Sequence, residues 1–468
     1  MKAIIPYIEE NSKKPYYLQL YSYIKKSILS GEIQPLEKLP SLRNLSTSLN
    51  LSMTTVEQAY SQLSVEGYIF SKPQSGYYAN KVLKPESATL PKTEIFDPEF
   101  SPLDFTLKTQ EPEFVYDPAC FDFNKWKKCL NKVLTQYSPL LFFESDPQGE
   151  LALRYEISKY LYQSRGVICS PDQIVMGAGT QQITNHLATI LAKMAINHVS
   201  VEEPGYIPVN NIFRDRGFAM TSVKVGRDGI FIHKLPSNIP SAVYVSPSNQ
   251  MPTGAVMPVG KRYELLGWAL KNDSIIIEDD YDSELRYFGK PIPPLQSLDT
   301  NEKVVYLGSF STTLFSSIKI SYMVLPKPMA EILKTINNDY TQTCSKMEQL
   351  TLALFMEEGF YQTNIKKLRS LYSQKLQAMV AALNSLGKGF IQTINTSSGV
   401  NIMIKVKSRK TPEKLCLQAK SLGLSISPTT LYTGKAEKDE ISLIFNYNQI
   451  PLKNILKTMK DLIQIWQN

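Results

Sequence analysis

Short runs of apolar, β-branched residues recur between residues 174 and 326, and they restrict the fold of this chain more than any other feature. Segments with helical periodicity separate the runs. Buried strands that alternate with amphipathic helices predict a mostly parallel sheet covered on both faces, which is an α/β domain. The runs are IVMGAG (174–179), HVSVEEP (198–204), AVYVSPS (242–248), SIIIEDDY (274–281), VVYLGSF (304–310) and SYMVLP (321–326).

Polar and aromatic residues follow most of these runs, where each predicted strand ends. In open α/β sheets ligands bind beyond the carboxyl ends of the strands, so these residues form the candidate site. Each one alone is more typical of a cap or a turn, and their shared location is what favours a site. The set consists of Gly179, Thr180, Gln181, Tyr206, Asn249, Asp279, Tyr281, Ser309 and Ser311.

The chemistry of this set suits an anionic, flat heterocycle. Residues 179–181 open the predicted helix QQITNHLATILAKM, whose first backbone N–H groups would point at an anion. A carboxylate that ends a buried strand suits a protonated ring nitrogen, and an aromatic side chain can cover a flat ring.

The first 80 residues follow a different pattern. Residues 17–30 predict a helix that stops at Gly31, Ser41 is a candidate cap for a second helix, and Ser52 is a candidate cap for a third that ends before Gly67. Two short helices separated by about three residues have the spacing of a helix-turn-helix.

A predicted hairpin follows the third helix. Tyr68–Phe70 and Tyr77–Tyr78 flank the turn KPQSG, so the segment is typical of a wing. The helices alone leave open a small packing domain that does not bind DNA. Because residues 1–80 carry only a small excess of positive charge, DNA binding there would depend on geometry more than on bulk charge.

Length and composition divide the chain further. Its 468 residues exceed the ~100–200 of a typical domain. A proline-rich stretch predicts a linker, with a loop packed on one domain as the alternative. We therefore predict a winged helix-turn-helix DNA-binding domain at 1–80, a linker at 81–110 and an α/β domain at 111–468.

Composition also excludes several classes of protein. With 43% apolar and 20% charged residues, the chain is not typical of disordered, fibrous or repeat proteins. It lacks a long uncharged apolar window, and Glu9 and Glu10 lie where a signal peptide needs an apolar core, so we expect a cytoplasmic protein without membrane contact. Five scattered cysteines and three histidines predict free thiols and no metal site.

The N-terminal segment resembles the winged-helix domain of GntR-type regulators. The resemblance rests on YLQLYSYIKKSILSGEIQP, LPSLRNLSTSLNLSMTTVEQAYSQLSVEGYI and SGYY. The sequence departs from the family at Leu36, where glycine is usual, and at Met53, where arginine is usual. The residues that the resemblance implies in DNA contact are Ser41, Arg43, Ser52, Met53, Thr54, Thr55 and the wing glycine Gly76.

The rest of the chain resembles a type I aminotransferase fold, which binds pyridoxal phosphate (PLP). The resemblance rests on MGAGTQQ, EEPGY, SPSNQMPTG, IIIEDDYDSELRY and YLGSFSTTLFSSIKISYMVLP. A winged helix joined to this domain is the arrangement of MocR-type regulators. The resemblance implies that residues 179–181 and Ser309 hold the phosphate, Tyr206 stacks on the ring, Asp279 pairs with the ring nitrogen and Tyr281 bonds the phenolic oxygen.

Thr312 is the main departure from that family. The family pattern is Gly-Ser-Phe-Ser-Lys, whose lysine forms the internal aldimine, whereas this chain reads GSFST. A threonine hydroxyl cannot form an imine, so covalent attachment of PLP at this position is excluded. Lys319 replaces an arginine and still attracts phosphate as a point charge. Ile441 and Ser442 stand where a carboxylate-binding arginine is usual, and Asn364 and Asn401 where histidines are common.

Thr312 is either natural or an engineered substitution, and the further changes at Lys319, Ile441 and Ser442 favour natural divergence. The resulting hypothesis is a homodimeric transcriptional regulator rather than an enzyme. Its aminotransferase-like domain senses a small effector, PLP bound non-covalently or an amino-acid-related ligand, or lacks PLP altogether. Its two winged helices read double-stranded DNA with paired half-sites. The alternatives are a PLP-dependent aminotransferase with an accessory DNA-binding arm, and a DNA-binding protein whose large domain serves only for dimerisation.

Overall fold

A computed structural model describes residues 14–82, 117–287, 292–336, 340–394, 399–429, 432 and 441–467. The chain divides into two compact units, Met1–Thr106 and Leu107–Asn468. Apart from residues 81 and 82, the predicted linker lies outside the described residues, so its boundaries stay predictions.

The N-terminal unit has the predicted helices and hairpin. Its elements are α1 (Tyr16–Ser30), α2 (Leu42–Leu49), α3 (Met53–Val65), β1 (Ile69–Lys72) and β2 (Gly76–Ala79), and the two strands pair antiparallel.

Local chemistry explains where these helices begin and end. The Ser41 Oγ accepts a hydrogen bond from the backbone N–H of Asn44 at 3.2 Å, and the Ser52 Oγ accepts one from Thr55 at 3.1 Å. Gly31 ends α1 in the left-handed conformation, with φ of 78°. The two predicted caps and the predicted stop are therefore present.

Leu36 has a backbone conformation that glycine adopts more easily. Its φ of 66° lies in the left-handed region, which costs a residue with a Cβ about 1–2 kcal/mol. The backbone N–H of Leu36 donates to the carbonyl of Ala79 at 2.9 Å, so the turn still reaches the wing. The turn geometry is therefore formed with a leucine, at the cost of backbone strain at Leu36.

The large unit is built on an eight-stranded sheet with the order β3-β10-β9-β8-β7-β4-β5-β6. Strands β4, β5, β7, β8 and β9 are parallel to their neighbours in this group, which confirms the mostly parallel sheet. The strands are β3 (Ile174–Ala178), β4 (His198–Glu203), β5 (Ala219–Gly226), β6 (Gly229–Ile230), β7 (Ala242–Val245), β8 (Ile275–Asp279), β9 (Val304–Ser309) and β10 (Ile320–Val324).

The strand β10 runs antiparallel to both of its neighbours, β3 and β9. The apolar run at 321–326 predicted a strand without giving its direction, because a buried strand is continuously apolar whichever way it runs. The sheet is consequently mixed at this edge.

Helices cover both faces of the sheet, as predicted. Alternate residues of the strands enter opposite cores: Ile174 and Met176 of β3 point to one cluster, and Val175 points to the other. The helices of the large unit are α4 (Phe123–Gln136), α5 (Leu151–Arg165), α6 (Thr180–Lys193), α7 (Ile207–Asp215), α8 (Val259–Lys271), α9 (Leu295–Leu298), α10 (Lys327–Ile336), α11 (Lys346–Glu357), α12 (Phe360–Leu386), α13 (Pro412–Lys420) and α14 (Ile455–Gln467).

A second, antiparallel sheet has the order β11-β12-β14-β13 and packs against α12, α13 and α14. Its strands are β11 (Ile391–Ile394), β12 (Asn401–Val406), β13 (Ile426–Pro428) and β14 (Ile441–Asn446). No helix within the described residues is long and apolar enough to cross a membrane.

A buried ion pair fixes the first described residue of the large unit. The Nζ of Lys375 on α12 lies 2.7 Å from Oδ2 of Asp117 and donates to the carbonyl of Asn448 at 2.5 Å. The side chain of Lys375 is fully buried, so its charge depends on these two partners. The pair joins residue 117 to the longest described helix and to the segment after β14.

Candidate functional site

A cavity of about 550 Å³ opens at the carboxyl ends of β8 and β9, beside the first turn of α6. This volume is in the range of small-molecule sites. Apart from Asn249, every pocket residue predicted from the sequence lines the cavity. The lining consists of Ala178, Gly179, Thr180, Gln181, Tyr206, Met251, Asp279, Tyr281, Ser309, Ser311, Thr312, Lys319, Val400, Asn401 and Asn446.

One end of the cavity has the groups that bind an anion. Gly179 precedes the first residue of α6 with φ of 87°, and N–H groups at a helix start lack intrahelical partners. The Ser309 Oγ accepts hydrogen bonds from Ser321 Oγ at 3.0 Å and from the Ser311 N–H at 3.3 Å. Its own proton is therefore available to a ligand. Lys319 is exposed at the cavity and forms no ion pair with a described residue.

In contrast to the anion-binding end, the cavity also contains a carboxyl group, that of Asp279 at the end of β8. The Tyr244 hydroxyl donates a hydrogen bond to its Oδ2. Burial raises the pKa of Asp279 to about 7, and the hydrogen bond from Tyr244 opposes that rise. A carboxyl with this pKa can hold or release a proton near neutrality, as the partner of a ring nitrogen must.

A second buried carboxyl, Glu202 on β4, lies in the same acidic environment. Burial raises its pKa to about 8, against hydrogen bonds from Gln250 and from the Ser246 N–H, each at 3.2 Å. Those bonds go to Oε2, and Oε1 has no hydrogen-bond partner among the described residues. Glu202 was not a sequence candidate, because it precedes the residues that close its strand.

Two successive aspartates, Asp279 at the end of β8 and Asp280 directly after it, have pKa values that are shifted in opposite directions. Burial alone would raise the pKa of Asp280, but the Arg165 guanidinium at 2.8 Å and the Tyr306 hydroxyl at 2.6 Å hold it below the usual value. Because successive strand residues face opposite sides of the sheet, Asp279 faces the cavity and Asp280 pairs with α5.

Asn249 contacts the site without lining it. Its side-chain Nδ2 donates to Oδ2 of Asp282 at 2.8 Å, and its backbone carbonyl accepts from the Tyr281 hydroxyl at 3.2 Å. The sequence placed Asn249 in the pocket because it follows a strand, whereas the structure uses it to hold Tyr281. The same Nδ2 also lies 3.5 Å from the Tyr281 hydroxyl, which lines the cavity.

Thr312 also contacts Tyr281. Its Oγ1 donates to the backbone carbonyl of Tyr281 at 2.7 Å. Among the lining residues, Lys319 is the one with an amine, and its backbone lies in the left-handed region with φ of 48°.

The sequence did not identify several lining residues as part of the pocket. Asn401 and Asn446 lie on the second sheet and Val400 directly precedes it, and the packing of this sheet could not be read from the strand pattern. Asn446 ends β14, so the rule that placed Asp279 could have found it. Ser442 is buried on β14 and does not line the cavity.

The residues predicted to contact DNA lie on α2, the start of α3 and the wing. Arg43, Ser52, Met53 and Thr54 are exposed, and Thr55 is half-buried beneath the cap. Ser41 is exposed at the start of α2, and Gly76 has φ of 101° at the wing turn.

The wing also carries a supported cation that sequence reasoning did not single out. The rings of Phe70 and Tyr78 stack with centroids 5.8 Å apart, and Lys72 Nζ lies 4.8 Å from the Tyr78 centroid. This contact holds the ammonium at the wing surface.

Replacing Asp279 tests its raised pKa. The pKa of an unfolded aspartate is about 4, so the folded chain retains a proton that it loses as pH rises through about 7. The stabilisation from Asp279 is thus present at low pH and lost at higher pH. We expect Asp279→Asn to be more stable than the parent by on the order of 1 kcal/mol at pH 8, with a smaller difference at pH 5.

The measurement is urea denaturation followed by fluorescence, since all three tryptophans lie in the large unit. The parent protein is measured beside the variant at each pH, because Glu202 titrates in both proteins and its contribution then cancels. An equal stability difference at pH 5 and pH 8 would contradict the assignment.

Comparisons with known proteins agree with this geometry. Residues 16–78 match the family described as bacterial regulatory proteins, gntR family, and residues 116–419 match aminotransferase class I and II. Solved aminotransferases share the fold of the large unit. The kynurenine aminotransferase of Pyrococcus horikoshii has a TM-score of 0.64 at 22% identity, covering 76% of this chain and 90% of its own.

Relatives of similar length contain both parts. The HTH-type transcriptional regulator YdeL of Bacillus subtilis is 37% identical over 435 residues, 92% of each chain. The pyridoxine biosynthesis regulator PdxR of Corynebacterium glutamicum is 30% identical over 96% of each chain. The probable rhizopine catabolism regulator MocR of Rhizobium meliloti is 29% identical over 90% of this chain and 88% of its own. The chain therefore belongs to the MocR class of HTH-type transcriptional regulators, in which a GntR-type winged helix is joined to an aminotransferase-like domain.

Proposed function

We propose that this DNA-binding regulator senses a phosphorylated pyridine of the PLP type, bound without a covalent bond, and that it does not catalyse transamination. One observation carries the proposal: the cavity keeps its anion-binding end and Asp279, while Thr312 Oγ1 is hydrogen-bonded to the backbone of Tyr281 where the family has its lysine.

The residues present fit the phosphate of such a ligand. The N-terminus of α6, the available proton of Ser309 and the ammonium of Lys319 are three independent sources of positive potential at one end of the cavity. Lys319 attracts the phosphate as a point charge rather than through the fork of an arginine.

The ring also has matching groups. Asp279 would hold a proton shared with the ring nitrogen, since its pKa lies near neutrality. Tyr206, half-buried on the cavity wall, would cover one face of the ring. When bound, PLP supplies an aldehyde that an amine can attack. Thr312 offers a hydroxyl instead, and an alcohol does not form an imine.

The substrate end of the cavity also argues against transamination. Ile441 and Ser442 occupy the strand where an arginine would bind a substrate carboxylate, and neither lines the cavity. The cavity therefore lacks, within the described residues, a guanidinium that selects amino acids. The relatives named as regulators agree with a role outside catalysis.

DNA recognition is assigned to α2, α3 and the wing. We propose that Arg43 contacts a phosphate or a base edge, that Ser41 and residues 52–55 border the major groove, and that Gly76 lets the wing approach the backbone. Met53, 42% exposed, supplies no charge where the family usually has arginine. Affinity per winged helix is then modest, and pairing of two copies compensates.

Replacing Arg43 tests this assignment. We expect Arg43→Ala to weaken binding to duplexes that the parent protein selects from random DNA by about tenfold or more, because one charged contact is lost. Fluorescence anisotropy at two salt concentrations is the measurement. Lys127→Ala, an exposed charge on α4, is the matched control and should bind as the parent does. An Arg43→Ala variant with unchanged affinity would refute the DNA interface.

A ligand series tests the phosphate end. We expect pyridoxine 5′-phosphate to bind at least about tenfold more tightly than pyridoxine, because only the phosphate uses the α6 terminus. Lys319→Met should reduce that preference, whereas Lys327→Met, exposed on α10 outside the cavity, should leave it intact. Calorimetry is the measurement, and equal affinity for the two compounds would refute the proposed ligand class.

The large domain also carries an apolar surface suited to a second copy. On α5, Leu151, Tyr155 and Tyr162 share one helix face and are 59%, 57% and 65% exposed. Exposed apolar faces of this kind mark association surfaces. We propose that a second copy covers this face, so that two winged helices read paired half-sites.

Sedimentation equilibrium tests the dimer. The parent chain should sediment as a dimer, and the variant Tyr155→Lys with Tyr162→Lys should sediment as a monomer, because like charges then meet at the interface. Lys127→Glu, at an exposed position on α4, provides a control with altered charge outside this face. A dimer that survives the paired lysine substitutions would exclude this surface.

A further inference from the structure

The hydroxyl groups of Thr312 and Tyr281, which lie where the family has its lysine, both donate their protons to hydrogen bonds within the protein. Thr312 Oγ1 donates to the backbone carbonyl of Tyr281 at 2.7 Å. The Tyr281 hydroxyl donates to the backbone carbonyl of Asn249 at 3.2 Å, with Met251 Sδ at 3.7 Å as its other acceptor, and it accepts from Asn249 Nδ2 at 3.5 Å. A hydroxyl carries a single proton. Toward a ligand, Thr312 and Tyr281 therefore offer lone pairs only.

Acidic groups surround the same hydroxyl. After burial itself, the carboxyls of Asp282, Asp279 and Glu202 raise the pKa of Tyr281, and all three are themselves buried. Glu202 Oε1 has no partner among the described residues. Among these three carboxyls only that of Asp279 lines the cavity, so the wall beside Thr312 and Tyr281 presents acceptor atoms, while Lys319 belongs to the anion-binding end.

These contacts favour a ligand that brings hydrogen-bond donors and positive charge to Thr312. In family members the lysine brings an amine to this place, directed at the 4′ carbon of the pyridine. The side chain present here brings none. A 4′ aldehyde oxygen would meet lone pairs with its own lone pairs, whereas a 4′ ammonium would donate to them.

We propose that the pocket takes the amine form of the vitamin phosphate, pyridoxamine 5′-phosphate, in preference to the aldehyde. The proposal rests on the proposed function, because it assumes the phosphate and ring positions given above. The regulator then reports the level of the aminated vitamer, and the missing lysine is the basis of its selectivity.

Direct titration tests this preference. The full-length protein, stripped of small molecules and held in an amine-free buffer, is titrated with pyridoxamine 5′-phosphate, pyridoxal 5′-phosphate and 4′-deoxypyridoxine 5′-phosphate. We expect the amine to bind about tenfold more tightly than the aldehyde, the effect of one charge-assisted hydrogen bond. Borohydride reduction and mass spectrometry correct for aldehyde captured by surface lysines.

The outcomes separate the two proposals. Equal or tighter binding of the aldehyde, with all three phosphates bound, overturns the amine preference and leaves the proposed ligand class standing. Failure of all three compounds, including the deoxy compound, refutes the ligand class itself.

Variants at residue 312 test the origin of the preference. Thr312→Lys should reverse it: an ammonium then repels the ligand amine, and the aldehyde is retained covalently, seen as one pyridoxyl phosphate on the protein after reduction. Thr312→Met adds similar length without charge and is the matched control, with affinity for the deoxy compound reporting on bulk alone. Reversal by Thr312→Lys but not by Thr312→Met supports the proposal. An unchanged ratio in the lysine variant, with the deoxy compound still bound, overturns it.

Discussion

The burial of four carboxyl groups at the end of β8 is the constraint on which the large domain depends. Desolvation of a charge costs several kcal/mol, so each group needs a partner. The partners come from different elements, and the acidic segment consequently holds the surrounding helices and strands in place. Glu278 is contacted by Arg262 of α8 and accepts from the N–H groups of Leu295 and Gln296. Asp279 accepts from Tyr244 of β7, Asp280 pairs with Arg165 of α5, and Asp282 accepts from Asn249.

Asp279 and Asp282 are both paired with neutral donors in the described part of the chain, and Asp279 is the one of the two that lines the cavity. A cation beside Asp279 would offset the cost of its burial and make the domain more stable. The site thus retains a cost in stability, as binding sites commonly do. On the neighbouring wall, the hydroxyl of Thr312 is already hydrogen-bonded to the protein.

The sequence predicted much of this fold because its local signals agreed with one another. Ser41 and Ser52 cap helices where expected, and the apolar runs became central strands, so the winged helix and the mostly parallel sheet were recovered. Local sequence signals did not reveal the direction of each strand or the packing between the two sheets. The strand β10 was found without its antiparallel pairing, and Asn446 and Asn401 reach the cavity only because a second sheet packs beside the first. Asn249 follows its strand as expected and bonds Tyr281, but strand position did not reveal that its amide also bonds Asp282.

The ion pair of Lys375 lies close to the cavity along the chain. Asp117 pairs with Lys375 of α12, and Lys375 also donates to the backbone carbonyl of Asn448, two residues after β14 ends. Asn446, the last residue of β14, lines the cavity. The segment at Asp117 is therefore held to the large domain through a residue that is two positions along the chain from the cavity wall.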